Sequence, residues 1–253
     1  MKSRSLLLPP TLAILLVIGM CTPVGAYIED YLPAGVLGKM RPISLKQLAE
    51  VKPDQTLQLG NVKLSNQGDV FSLKGTSKSG KPWSFERDPI GFGGTLYQAD
   101  LDRNGHQDLL LITNTAACGI APPREVTILL FDKNGTPRGF ELAGYFNSDE
   151  KRNKIEDLVR LPGGGTTPVL LHQELVYATT KNKDRSYWRW VAYRAVNCRM
   201  EAWNVTLGGT PFPCYVWYTF NPNHRLSATK WAFLEKATKA EQEQRGIVEV
   251  EIK

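Results

Sequence analysis

Between Leu57 and Phe140 the sequence is cut into short, β-favouring stretches by turn-forming residues, and this punctuation restricts the chain to hairpin-built antiparallel sheets. Asn66-Gln67-Gly68-Asp69 and Ser79-Gly80-Lys81-Pro82 are each too rich in turn formers to continue a strand. Asp132-Lys133-Asn134-Gly135-Thr136-Pro137 separates the strand-like Val126–Phe131 from Phe140 in the same way. Tyr187–Tyr193 and Cys214–Phe220 carry the β-favouring composition into the later chain, so the expected fold is mainly β. Two helices are expected beside the strands. One is short, near Ser44–Val51; the other lies between Ala228 and Arg245, with Gly246 stopping it before a last strand at Ile247–Ile252.

The first 26 residues read as a segment separate from the fold. Lys2 and Arg4 precede an apolar run from Leu6 to Cys21, and Val24-Gly25-Ala26 offers the small residues at which signal peptidase cuts. The run is short for a bilayer span, Pro9 and Pro10 interrupt it, and Met20 is a poor neighbour for a lipidated Cys21. Residues 1–26 are therefore expected to be a signal peptide and 27–253 a β-rich domain, secreted or periplasmic, with no stable membrane span after cleavage.

Charge narrows the partners. The chain carries a formal +6, which falls to +4 once Lys2 and Arg4 leave with the signal peptide. No dense Lys/Arg stripe with interleaved aromatics stands out, which argues against nucleic acid. Hydrophobic residues make up 42% of the chain, enough for a sizeable core and too many for global disorder. Of the three cysteines beyond the signal peptide, Cys198 and Cys214 flank an aromatic segment and are a candidate disulfide, leaving Cys118 over; three buried thiols are the alternative.

One stretch has the spacing of a cation site. Asp100-Leu-Asp102-Arg-Asn104-Gly105-His106-Gln-Asp108 places oxygen-bearing side chains at loop positions 1, 3, 5 and 9, with glycine at position 6. A tightly coiled loop turns alternate side chains inward, the glycine permits the sharp bend, and the position-7 carbonyl, here that of His106, completes an oxygen shell. Three carboxylates and an amide suit calcium better than magnesium, and the set lacks the imidazole and thiolate that zinc or copper prefer. The flanks, Thr95–Ala99 and Leu109–Ile112, read as strands, and position 12 is Leu111, so an EF-hand is disfavoured. A metal-free turn, held by side-chain-to-backbone hydrogen bonds, is the competing reading.

Phe92-Gly93-Gly94, then Tyr97 to Asp108 with its acidic loop, then the apolar Leu109-Leu110, together resemble an FG-GAP (VCBS, integrin-α-like) repeat over about residues 91–140. The resemblance implies blades of β-propeller type with calcium in the loop between two strands. Its ligands would be Asp100, Asp102, Asn104 and Asp108 by side chain and His106 by carbonyl. With about 60 residues to a blade, 227 residues make at most about four, so the blades are expected to be incomplete or open. A degenerate second repeat is expected within 150–220, where Leu161-Pro-Gly-Gly-Gly165 to Leu171 overlays Leu101 to Leu111 without its carboxylates.

Catalytic motifs are scarce: no nucleophile elbow, His-Glu-x-x-His helix or phosphate-binding loop occurs. His172 and Glu174 alternate along a strand and share a face, a candidate acid/base pair or a plain structural pair. Trp188 with Trp190, and Tyr215 with Trp217, offer an aromatic platform for sugars or peptides, or else core packing. The expected function is a non-enzymatic, exported calcium-binding repeat protein that binds a protein or glycan. The alternative is an exported hydrolase or carbohydrate-binding β-domain using His172, Glu174 and surface aromatics.

Overall fold

The computed structural model describes residues 40–114, 124–144, 159–162, 165, 167–180, 183–217 and 247–253. The expected signal peptide, the helix at Ala228–Arg245 and Cys118 lie outside them.

Strands β1 (Met40–Pro42) and β2 (Lys46–Val51) lead into a meander of β3 (Gln55–Leu59), β4 (Val62–Gln67), β5 (Val70–Thr76) and β6 (Pro82–Arg87). A second meander follows, made of β7 (Gly94–Ala99), β8 (Asp108–Asn114), β9 (Arg124–Phe131) and β10 (Pro137–Gly144). The third comprises β11 (Val159–Pro162), β12 (Val169–Thr180), β13 (Lys183–Val196) and β14 (Arg199–Ala202). Short β15 (Thr206–Leu207) and β16 (Thr210–Pro211), then β17 (Cys214–Trp217) and β18 (Val248–Val250), complete the described strands.

All pairings among the described residues are antiparallel, and the hairpins expected at the turn-rich stretches are among them. The first meander is a sheet by itself, in the order β3-β4-β5-β6. The second gains an edge strand on each side, giving β18-β10-β9-β8-β7-β2. The third gains β1 beside β11, while β13 divides its outer edge between β17 and β14. Among the described residues no helix is long and apolar enough to cross a membrane.

The burial pattern of each strand tells which layer it occupies. In β4, Val62, Leu64 and Asn66 are buried while the residues between them are not, so one face of that sheet is covered. In β8, Asp108 through Thr113 are all buried, which requires cover on both faces. The middle sheet is that covered layer. Leu109, Leu111 and Leu129 join Leu64, Phe71, Leu73 and Phe85 of the first sheet in one core. Leu110, Ile112, Ile128 and Leu130 join Leu170, Trp190 and Ala192 of the third in another.

Two local devices hold these layers. Gly75 faces Trp83 across β5 and β6, and a Cβ on the glycine would collide with the indole ring; its absence lets the indole lie over the strand. The last residues stitch two sheets: β18 pairs with β10, and Lys253 then exchanges backbone hydrogen bonds with Ser84 of β6 at 2.7 and 2.9 Å.

The helix expected near Ser44–Val51 is instead strand β2, paired with β7. Leu48 and Val51 are three apart, a helical spacing, but the register shift between Gln47 and Ala49 turns both into the same core. The expected last strand, Ile247–Ile252, contains β18.

Candidate metal centre

The loop from Asp100 to Gln107 joins the first two strands of the second meander, and the Ala99–Asp108 pair closes its base. Gly105, at φ +84°, supplies the left-handed turn that the sequence spacing requires of it. Arg103, at φ +60°, is a second left-handed residue that no glycine marks.

Side-chain oxygens organise the loop from within. Asp102 Oδ1 accepts from the Asn104 N–H at 3.2 Å, Asn104 Oδ1 from the His106 N–H at 2.7 Å, and Asp100 Oδ2 from the Gly105 N–H at 3.1 Å. Asp108, wholly buried, accepts the Leu101 N–H on Oδ2 at 2.7 Å and the Phe131 N–H on Oδ1 at 2.8 Å. One carboxylate thus ties the loop both to its own start and to the end of β9.

This arrangement gathers Asp100, Asp102 and Asp108 so that one oxygen of each lies within 4.8 Å of the others. Three carboxylates this close repel one another. Burial pushes the Asp108 carboxyl up to about 7, and Asp102 and Asp100 add to the rise, against the two backbone hydrogen bonds that favour its anion. Asp100 Oδ1 is buried and accepts no hydrogen bond among the described residues. A buried carboxylate oxygen without a donor is costly unless a cation or proton meets it, so the donor set fits a metal ion.

Three of the expected side-chain ligands therefore come together. The fourth does not present its oxygen: Asn104 directs Nδ2 toward Asp102 Oδ2 at 3.1 Å and the Phe131 carbonyl at 2.8 Å, while its Oδ1 serves the His106 N–H. His106 is partly buried and lines an adjacent cleft.

Cys198 belongs to this site, although nothing near it in the sequence says so. Asn197 and Cys198, at φ +51° and +55°, form the two-residue turn between β13 and β14. There the Cys198 N–H donates to Asp102 Oδ2 at 2.9 Å, and Asn104 Nδ2 lies 3.7 Å from its Sγ. Burial, with Asp102 adding, pushes the thiol up to about 11. Neither this turn nor its contact with a loop almost a hundred residues earlier was read from the sequence.

The expected Cys198–Cys214 disulfide is absent, and both residues are free thiols. Cys214 stands opposite Trp190 in the middle of β13, whereas Cys198 lies past its end. At about 3.3 Å per residue, the stretch from Trp190 to Cys198 far exceeds the roughly 7 Å that a disulfide can bridge.

His172 is 1% exposed, with its ring 5.9 Å from that of Tyr193, and Glu174 follows on the same strand opposite Arg189. Trp190 is fully buried, which assigns it to packing. Comparison with known family models, with curated proteins and with solved structures finds no match for this chain.

Proposed function

We propose that this chain is an exported, non-enzymatic FG-GAP-like repeat protein in which calcium, held by the 100–108 loop, rigidifies a β scaffold that binds a protein or glycan. The carrying observation is the donorless, buried Asp100 Oδ1 inside a ring of three carboxylates. Asp100, Asp102 and Asp108 would hold the ion by side chain and His106 by its carbonyl. Asn104 would join after its amide turns, at the cost of its bond to the His106 N–H. The ion would supply charge compensation and cross-linking, with no chemistry of its own.

The topology supports the repeat reading. Each of three successive units of the described residues is a four-strand meander, and the acidic loop lies between the first and second strands of the middle one, whose first strand directly follows Phe92-Gly93. The three meanders among the described residues are fewer than the about four to eight blades of a closed propeller, which favours blades that stack openly. The hydrolase alternative gains nothing from the structure, because His172 is enclosed in the core.

Calorimetric titration of calcium into the chelator-treated protein tests the reading. Saturable heat that disappears in an Asp100→Ala/Asp102→Ala variant is the expected result. No heat, together with no calcium-dependent rise in melting temperature, reduces the loop to a hydrogen-bonded turn and removes the proposal's support.

A further inference from the structure

Beside the acidic loop, where the first sheet meets the second, lies a cleft of about 200 Å3. Its floor is apolar, from Val62, Leu109 and Phe131, and the Phe131 ring is fixed by an edge contact with Trp83 at 5.4 Å. Its rim is polar and is contributed by separate elements: Asn61 from the turn after β3, Gln98 from β7, and His106 and Gln107 from the loop. The side-chain amides of Asn61, Gln98 and Gln107 and the imidazole of His106 make no hydrogen bond within the described residues, so these groups remain to be satisfied from solution.

We infer that this cleft is a binding subsite for one neutral sugar ring. A carboxamide offers both donor and acceptor, which matches the dual character of a hydroxyl, and three carboxamides with an imidazole can serve several hydroxyls at once. The apolar floor suits the C–H face of a pyranose. Charge does not favour an ionic ligand. The Lys78 ammonium at the margin donates to the Lys133 carbonyl at 3.0 Å, and the Asp132 carboxylate accepts the Asn134 and Thr136 N–H groups at 2.9 and 2.8 Å. The two are opposite in sign and already engaged. The volume is below the roughly 300–1,000 Å3 of pockets for drug-sized molecules, which restricts the cleft to a single ring.

The subsite rests on the binding role proposed above and narrows its glycan to a neutral single ring, but its rim acts through side chains that are not cation ligands, so it is tested apart from calcium. The experiment is methyl NMR of Val62 and Leu109 during separate titrations with glucose, galactose and N-acetylglucosamine, in calcium and again in chelator. At least one sugar should shift both residues saturably with Kd on the order of 1 mM, and Gln98→Ala/Gln107→Ala should weaken it about tenfold. Should that double variant fold poorly, Asn61→Ala, in an exposed turn, should weaken binding several-fold. The inference is overturned if no sugar shifts these methyls in either buffer. It is likewise overturned if inorganic phosphate shifts them at lower concentration than any sugar, or if affinity survives in every folded variant. Failure of calcium to bind is read separately, as absent heat on adding the ion alone.

Discussion

At Asp108 a single buried carboxylate carries two opposed duties. It accepts the Leu101 and Phe131 N–H groups, which favours its anion, while burial and the neighbouring Asp102 and Asp100 favour its acid and set the carboxyl at about 7 instead of 3.8. A group whose folded value is raised contributes stability that is complete below the unfolded value and lost as pH rises through the folded one. The calcium-free protein should therefore melt lower at pH 8 than at pH 5, and saturating calcium should abolish that fall, because the ion replaces the proton. Melting curves at both pH values, with calcium and with chelator, check this. A calcium-free protein equally stable at pH 8 would show that Asp108 is not raised. The spacing of Asp100, Asp102 and Asp108 exposed this cluster in the sequence, because one coiled loop places all three. The direction of the Asn104 amide depends on the Phe131 carbonyl and Cys198, both distant in sequence, and so was not legible.

Among elements, β8 shows how much a strand reveals about its layer. Leu109-Leu110-Leu111-Ile112 has no alternation, and the structure explains it by cover on both faces, with Leu110 in one core and Leu111 in the other. Leu110→Ala and Leu111→Ala should therefore each cost about 2–5 kcal/mol. Val70→Ala, at a 45% exposed strand position, should cost less than about 0.5 kcal/mol. Denaturant unfolding of the three variants decides it: a strand with one solvated face would be sensitive at only one of the two leucines. Hairpins were legible because their turns are local. Strand β2 was not, since Leu45, Leu48 and Val51 have helical spacing and only the pairing with β7, with its bulge, makes that spacing compatible with a strand. Partner strands that arrive from far away, as β18 does on β10, leave no local signal either.

Taken whole, the described residues form three large sheets, beside the two-stranded β15-β16 sheet; the middle one shares a core with each neighbour, and the acidic loop lies where its polar contacts span sheets. Asp108 holds the end of β9 through Phe131, and Asp102 holds the β13–β14 turn of the third sheet through Cys198. The first sheet is held by other means: its shared core, the Lys253–Ser84 backbone pair, and Arg87 of β6, which bonds Glu125 and Thr127 of β9. A cation that orders the three carboxylates should thus tighten the junction of the second and third sheets and leave the first unaffected. Hydrogen exchange with and without calcium measures this directly. The amides of Leu101, Phe131 and Cys198, which donate to Asp108 and Asp102, should gain protection together, while those of β3 to β6 remain unchanged. Protection gained at Leu101 alone would mean that the ion orders only its own loop, and that the sheets dock by apolar packing without help from it.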